Sequence, residues 1–134
     1  MKFKAVILDL DGVITRTAAL HARAWKQMFD DFLRQEAQKS NSDFAPFTDS
    51  DYLIFVDGMP RYDGVRCFLE SRGIGLDFGS PEDPPEKITI CGLGNRKNEL
   101  FNRLLKQGDV EVFDTTVALI KELKKSGIRV GVAS

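Results

Sequence analysis

The sequence is poor in the side chains that build metal clusters and disulfide frameworks. Its 134 residues include two cysteines and one histidine. Cys67 and Cys91 lie far apart in the chain, and they form no Cys-x-x-Cys pair. Structural zinc sites need closely spaced Cys and His ligands, and small disulfide scaffolds need several cysteines. This pattern therefore favours neither class of site. The cysteine usage predicts a protein of the reducing cytoplasm.

The sequence also lacks an excess of charge and a long apolar run. It has 19 basic and 20 acidic residues, for a formal net charge of -1. We therefore expect no nucleic-acid partner and no attraction to a membrane surface. The N-terminus has the charged start of a signal peptide, but Asp9 and Asp11 interrupt the apolar run that follows. No segment is long enough to span a membrane.

What the sequence does contain is enough apolar side chain for the core of one ordinary domain. Hydrophobic residues make up 43% of the chain and aromatic residues 10%. A continuous apolar run over residues 5–10 predicts a strand buried on both faces, which is typical of a central parallel strand. Apolar residues at three- and four-residue spacing over residues 17–37 predict an amphipathic helix.

Shorter helices are predicted in the middle of the chain. Thr48 and Asp51 have the spacing of a capping box, which predicts a short helix ending near Gly58. Another helix is predicted over residues 63–72, because apolar side chains recur there at helical spacing.

The second half of the chain alternates between breakers and apolar periodicity. A loop is predicted over residues 75–85, which are rich in proline and glycine. A helix should start near residue 86, and we expect Gly92 and Gly94 to break it, with a new helix from about residue 95.

The last segment predicts a helix followed by a strand. We expect Asp114 to cap the helix over residues 115–126, and the apolar run over 129–133 to form the strand. A helix that leads into a strand in this way favours parallel pairing with the first strand.

These elements predict an α/β protein with an inserted helical segment. Residues 1–15 and 111–134 would form part of a Rossmann-like α/β core, and residues 16–110 a helical cap. The stretch between the two strands is far longer than a simple crossover needs. Most of the chain would therefore be helical.

Two acidic side chains follow the first predicted strand. Ligands of open parallel sheets bind beyond the carboxyl ends of the strands, where Asp9 and Asp11 end one strand and Ser134 the other. Neighbouring carboxylates repel each other, and a hard divalent cation such as Mg²⁺ would relieve that repulsion. The alternative is an Asp-Gly turn that ends the strand with two solvated acids. The residues alone leave both interpretations open.

Longer motifs resemble one enzyme family. The stretch "AVILDLDGVIT" resembles the nucleophile motif of the haloacid dehalogenase superfamily, and "GIRVGVAS" resembles its second motif. A helical insertion directly after the first motif is similar to members with a helical cap. The stretches "DLDGVITRTAALHARAW", "DGMPRYDGV" and "NRKNELF" resemble the β-phosphoglucomutase-like subfamily.

The resemblance implies a role for each residue of the first motif. Asp9 would attack phosphorus and form an aspartyl-phosphate, and Asp11 would act as general acid and base. Gly12 would allow the backbone a sharp turn close to the phosphate. Mg²⁺ would bind the Asp9 carboxylate, the main-chain carbonyl of Asp11 and an acidic group from a later motif. The hydroxyl of Ser134 would donate to a phosphate oxygen.

The resemblance also implies roles at the cap. Residues Thr15, Arg16 and Thr17 would form the hinge, although the family often has an acid where Arg16 stands. His21, Arg61 and Lys97 would contact the substrate, with the planar Arg61 guanidinium suited to a distant phosphate. Without the resemblance, His21 is better explained as a packed helix residue, and both cations as solvated surface charges.

The implied reaction is Mg²⁺-dependent phosphoryl transfer on a sugar phosphate or a similar small phosphomonoester. Phosphatase-type hydrolysis and β-phosphoglucomutase chemistry rank nearly level on the sequence. The alternative is a non-catalytic fragment or interaction module, in which exposed core strands pair with a partner. The family's third and fourth motifs have no counterpart in these residues, so we expect a longer protein and a fragment that is inactive alone.

Overall fold

A computed structural model describes residues 2–108 and 110–134. The elements in chain order are β1 (Ala5–Asp9), α1 (Ala18–Ser40), α2 (Asp49–Asp51), a π-helical turn (Tyr52–Val56), α3 (Arg61–Ser71), α4 (Ile90–Gln107), α5 (Asp114–Lys125) and β2 (Arg129–Ala133). The predicted α/β class, with most of the chain helical, is confirmed. No helix in the described ranges is long and apolar enough to cross a membrane.

The chain divides into two compact units. The first contains Met1–Ala19 and Gly108–Ser134, and the second contains Leu20–Gln107. We call them the strand unit and the helical unit. The roles of core and cap remain predictions for these two parts of the chain.

The strand unit is built on a two-stranded parallel sheet. β1 and β2 pair in parallel, with Ala5 opposite Arg129 and Asp9 opposite Ala133. The backbone N–H of Leu10 continues the ladder by donating to the Ala133 carbonyl at 3.0 Å. The parallel pairing predicted from the sequence is therefore confirmed, and both carboxyl ends lie at one edge.

The prediction that β1 is buried on both faces is wrong for the described residues. Val6 and Leu8 are half-buried, whereas Ile7 is 75% exposed. On the neighbouring strand Val132 is 56% exposed. α5 packs against β2, but the described elements leave the Ile7 side chain in solvent. An unbroken apolar run shows that both faces of a strand are suited to burial. Burial also requires another element to pack on each face.

The helical unit holds the well-packed core. Phe29 of α1 is fully buried, and its ring lies 4.2 Å from that of Phe68 and 5.1 Å from that of Phe47, measured between centroids. The buried side chains of α1 recur at three- and four-residue spacing, as the sequence predicted. They are Ala24, Trp25, Met28, Phe29, Phe32 and Leu33.

The predicted capping box is confirmed at α2. The Thr48 hydroxyl accepts from the Asp51 N–H at 3.1 Å, and the Asp51 carboxylate accepts from the Thr48 N–H at 2.9 Å. The helix then widens into the π-helical turn and ends before Gly58, which has φ +71°. That positive φ favours glycine, since a Cβ would be strained there.

The prediction that Gly92 and Gly94 break a helix is wrong. α4 starts at Ile90 rather than near residue 86, and it runs through both glycines without interruption. A Cβ on Gly92 would lie 2.1 Å from the Lys87 carbonyl oxygen, and one on Gly94 would lie 2.7 Å from the Tyr62 ring. Both glycines therefore allow close packing within a continuous helix, which outweighs their low helix propensity.

The predicted cap at Asp114 is also wrong. Phe113 occupies the N-cap position, Asp114 is the first residue of α5, and no side chain caps this end. Phe113 donates its backbone N–H to the Ile14 carbonyl at 2.9 Å. Pairing with the chain near residue 14 thus fixes where the helix begins, and Asp114 still places negative charge in its first turn.

Candidate functional site

The loop after β1 is a tight turn closed by its own backbone. The Leu10 carbonyl accepts from the N–H groups of Ile14 and Thr15, at 3.0 and 2.9 Å. Gly12 donates its N–H to the Thr15 carbonyl at 2.8 Å and has φ +77°. The space around a Gly12 Cβ is open, so the backbone conformation, not crowding, is what requires glycine here.

The two predicted catalytic aspartates lie on either side of this turn's start. Asp9 is the last residue of β1, and its Oδ1 accepts from the Leu10 N–H at 2.8 Å. Asp11 is exposed, and its Oδ1 accepts a hydrogen bond from the Thr17 hydroxyl. Thr17 is only 5% exposed. A buried hydroxyl therefore fixes one oxygen of the Asp11 carboxylate.

Ser134 follows β2 at the same edge of the sheet as Asp9. The register places Asp9 opposite Ala133, the residue before Ser134. The parallel pairing thus brings the ends of the two predicted motifs together within the strand unit. The binding role of Ser134 remains a prediction.

The predicted hinge residues are held to the chain that precedes α5. Arg16 donates its backbone N–H to the Glu111 carbonyl at 2.8 Å, and its side chain lies 3.8 Å from the Glu111 carboxylate. The guanidinium also lies 4.2 Å from the centre of the Phe113 ring. The Thr15 hydroxyl lies 3.0 Å from that of Thr17. Arg16 thus packs against a neighbouring segment, and the hinge role stays a prediction.

His21 and Lys97 form a pair in the helical unit. The Lys97 ammonium lies 2.8 Å from His21 Nδ1. Because an ammonium can only donate, Nδ1 accepts, and the proton of a neutral His21 lies on Nε2. The His21 ring stacks on Phe101 at 3.9 Å. The ammonium lies 5.0 Å from the ring centres of both Phe101 and Trp25, and Lys97 is only 6% exposed.

These contacts show how Lys97 and His21 pack within the helical unit. Contact of either residue with a substrate remains a prediction. The interpretation of Lys97 as a solvated surface charge is wrong, since aromatic rings and α1 enclose it. A cation over aromatic faces keeps its charge at lower cost than one buried among aliphatic groups. His21 packs on a ring, as the residue-only interpretation expected, and also accepts from a cation.

Arg61 opens α3 and is half-buried. Its Nη2 donates to the Tyr62 hydroxyl at 3.3 Å, and the guanidinium carbon lies 5.1 Å from the centre of the Tyr62 ring. Its Nε is buried without a hydrogen-bond partner in the part of the chain that the structure describes. Within the described residues, Arg61 is therefore held by Tyr62 and not by an acidic side chain.

The residues after β1 fit a hard cation in donor type. Their donors are carboxylate and carbonyl oxygens, which Mg²⁺ prefers, and one or two protein carboxylates are usual when phosphate and water complete its coordination. Over residues 2–108 and 110–134, no group of three or more His, Cys, Asp or Glu side chains could hold a metal ion. A magnesium site at these residues remains a prediction.

Sequence reasoning missed several hydrogen bonds within each of the two units. Thr17 was assigned to the hinge, but its hydroxyl binds Asp11, six residues earlier. Tyr62 and Asn95 were not singled out, although Tyr62 donates to Asn95 Oδ1 at 2.9 Å across 33 residues. No periodicity or motif marks either pair, because the first depends on how the loop after β1 folds and the second on how α3 and α4 pack.

Comparison with known sequences identifies the family. The sequence model of the haloacid dehalogenase-like hydrolase family matches residues 3–134. The β-phosphoglucomutase of Mycobacterium bovis is 45% identical over 134 residues, which is 99% of this chain and 51% of that protein. The chain therefore spans about half the length of the curated relatives it matches.

Solved structures show the same fold. β-Phosphoglucomutase from Clostridium difficile matches with a TM-score of 0.67 at 24% identity, over 99% of this chain and 52% of that one. A mutant of CbbY from Rhodobacter sphaeroides, in complex with xylulose-(1,5)bisphosphate, matches with a TM-score of 0.66 at 23% identity, over 98% and 51%. With the family match over nearly every residue, the chain belongs to the haloacid dehalogenase-like hydrolases.

Proposed function

We propose that the complete protein transfers the phosphoryl group of a sugar phosphate through an aspartyl-phosphate on Asp9. The observation that carries this proposal is the turn after β1, in which Asp9 and Asp11 lie two residues apart at the carboxyl edge of a parallel sheet. A buried hydroxyl from Thr17 holds the second acid. Two neighbouring acids, each held by its own hydrogen bond, suit a division between nucleophile and proton donor.

Asp9 is the proposed nucleophile. Its Oδ1 accepts from the Leu10 N–H, which orients the carboxylate so that the other oxygen can attack phosphorus. Attack forms the Asp9 oxygen–phosphorus bond as the bond from phosphorus to the sugar oxygen breaks. The products of this half-reaction are the aspartyl-phosphate and the sugar alcohol.

Asp11 is the proposed general acid and base. In its protonated form it gives a proton to the departing sugar oxygen, and it becomes a carboxylate. In the return step it removes a proton from the hydroxyl that attacks the aspartyl-phosphate. The Thr17 hydroxyl donates to one carboxyl oxygen and so helps to hold the Asp11 side chain in place.

Mg²⁺ is the proposed cofactor. The Asp9 carboxylate and the Asp11 main-chain carbonyl would hold it, together with the phosphate and residues outside this chain. When bound there, the ion would screen the phosphate charge from the attacking carboxylate.

The helical unit is proposed to recognise the rest of the substrate. His21, Lys97 and Arg61 present cationic or hydrogen-bonding groups that suit a phosphorylated sugar. Support for this substrate class comes from the 45% identical β-phosphoglucomutase and from the CbbY structure, which was solved with xylulose-(1,5)bisphosphate. Ser134 is proposed to donate to a phosphate oxygen at the sheet edge.

We favour mutase transfer over hydrolysis, since the relative at 45% identity is a β-phosphoglucomutase. The test is to incubate the natural-length protein with β-glucose 1-phosphate and Mg²⁺ and to follow products by ³¹P NMR. Glucose 6-phosphate is the expected product, and free phosphate as the main product would indicate a phosphatase.

The Asp9→Asn variant tests the nucleophile. It should lower kcat by about a thousandfold or more, because the amide cannot form the phospho-intermediate. Asp57→Asn, an exposed position in the helical unit, is the matched control and should keep its activity. Equal activity in wild type and Asp9→Asn would contradict the proposal. Absence of transfer in the natural-length wild type would favour the non-catalytic alternative.

A further inference from the structure

A chain of hydrogen bonds leads from Arg61 to the loop before α4. Arg61 Nη2 donates to the Tyr62 hydroxyl at 3.3 Å, and that hydroxyl donates to Asn95 Oδ1 at 2.9 Å. Asn95 Nδ2 donates to the carbonyls of Pro81 and Asp83, at 3.0 and 2.9 Å. The chain connects the first turn of α3 with α4 and with the loop.

Every donor and acceptor role in this chain is determined. The Pro81 and Asp83 carbonyls can only accept, so the amide nitrogen of Asn95 must face them and its oxygen must face Tyr62. The Tyr62 hydroxyl then has to donate its one proton to Asn95. Its remaining lone pairs face the Arg61 guanidinium, which can only donate. Each hydrogen bond of the chain therefore has a single direction.

The position of the Arg61 guanidinium depends on its contact with Tyr62. A Cβ on Gly94 would lie 2.7 Å from the Tyr62 ring and 3.3 Å from Arg61 Cγ, so both side chains fill the space above this glycine. Arg61 Nε is buried without a partner among the described residues. The hydroxyl of Tyr62 is the hydrogen-bond acceptor that the described structure supplies to the guanidinium.

We propose that Tyr62 and Asn95 are positioning residues that hold the Arg61 guanidinium in place for an oxyanion of the substrate. The inference rests on the proposed function, in which Arg61 binds a phosphate of the sugar phosphate. A guanidinium binds an oxyanion best when its planar face is already oriented, because less side-chain entropy is lost on binding. Asn95 contributes to affinity in this way through Tyr62 and Arg61.

The test is a double-mutant cycle in the natural-length protein. Tyr62→Phe removes the hydroxyl and keeps the ring. It should raise KM for β-glucose 1-phosphate about three- to tenfold, the range for one hydrogen bond, with kcat within about twofold. In an Arg61→Ala background, Tyr62→Phe should have no further effect on KM. An equal effect in both backgrounds would overturn the inference.

Arg96→Ala is the matched control, because it also removes hydrogen bonds to the loop before α4. Arg96 is the next residue of α4, and among the described residues it donates to the carbonyls of Pro85 and Glu86, at 2.8 and 3.4 Å, and to no member of the Arg61 chain. Asn95→Ala should raise KM as Tyr62→Phe does, whereas Arg96→Ala should leave KM unchanged. If both raise KM equally, loop stability explains the effect and positioning does not.

A measurement on the free protein separates this inference from the proposed function. The Nε–H signal of Arg61 in a ¹H–¹⁵N spectrum can be assigned by its loss in Arg61→Lys. Tyr62→Phe and Asn95→Ala should both shift and broaden it, while Arg96→Ala should not. An unchanged signal would overturn the positioning role even if the enzyme is active. Failure of Asp9→Asn to reduce activity would overturn the proposed function alone.

Discussion

The fold strongly favours the charged form of the Asp83 carboxylate, which lowers its pKa. Asp83 is only 7% exposed, and its Oδ1 accepts from the Lys87 ammonium at 2.7 Å. Its Oδ2 accepts from the Thr89 hydroxyl at 2.7 Å and from the Ser80 N–H at 3.0 Å. The bond from Lys87, followed by those from Thr89 and Ser80, lowers the pKa of Asp83 to about 2 from its ordinary 3.8. All three partners favour the charged carboxylate.

This shift predicts how stability depends on pH. Because the pKa of Asp83 is lower in the folded than in the unfolded chain, its contribution is complete above about pH 4 to 5 and is lost as the pH falls through about 2. Asp83→Asn should therefore be less stable than wild type at pH 7, with the difference shrinking below pH 4. Urea titrations between pH 7 and pH 2 measure it.

The exposed Asp57→Asn is again the control, and its difference from wild type should be small at every pH. A difference for Asp83→Asn that stays constant down to pH 2 would mean that neutral hydrogen bonds, and not the charge, stabilise this loop.

At the residue scale, local patterns were predictable and long-range partners were not. Asp9, Asp11 and Gly12 could be singled out because two acids and a glycine follow an apolar run in the sequence, and the roles expected of them came from the family resemblance. The contact of Tyr62 with Asn95 depends on how α3 packs on α4, and that of Asp83 with Thr89 depends on how the loop before α4 folds back on itself. The sequence around one residue of such a pair does not indicate which residue is its partner.

At the scale of elements, α4 shows where propensity misled. A glycine costs about 1 kcal/mol in a helix interior relative to alanine, and two close together suggest a break. The prediction failed because tertiary contacts outweigh that cost: the Lys87 backbone and the Tyr62 ring lie where side chains would project. The parallel pairing of β1 and β2 was predictable, since handedness restricts how a helix can lead into a strand.

The same contacts predict an unusual response to alanine. In an open helix, Gly→Ala stabilises by up to about 1 kcal/mol. Here Gly92→Ala and Gly94→Ala should each lower the free energy of unfolding by about 1 to 3 kcal/mol, because the added methyl group overlaps backbone or a packed ring. Urea titration monitored by the fluorescence of Trp25, the one tryptophan, measures this.

Asn102→Ala is the comparison on the exposed face of α4. It should raise the free energy of unfolding slightly, by a few tenths of a kcal/mol, as propensity predicts. Stabilisation by Gly92→Ala or Gly94→Ala would show that the helix can shift away from its neighbours at little cost.

At the scale of the whole molecule, the two units differ in how much they bury. Every fully buried apolar side chain among the described residues lies in the helical unit. In the strand unit, Ile7 and Val132 expose more than half of their surface. Backbone hydrogen bonds that lack a buried core around them open more readily. The 134 residues should therefore not be equally stable throughout.

Hydrogen exchange can measure this difference directly. In the 134-residue chain, amides of β1 and β2 should exchange at least about a hundredfold faster than the central amides of α1, because local opening costs less there. Met28→Ala, at a fully buried position, should speed exchange throughout α1 by removing about 2 to 5 kcal/mol of stability. Ile7→Ser, at a side chain 75% exposed, should leave every rate nearly unchanged.

The natural-length protein should give the opposite result for Ile7. The chain spans about half the length of its curated relatives, and we expect residues outside it to cover the Ile7 face of the sheet. Burial of an isoleucine stabilises by about 1.5 to 3 kcal/mol, so Ile7→Ser should then speed exchange in β1 and β2 markedly. If the variant is silent in both lengths of chain, residues outside these 134 do not cover the Ile7 face.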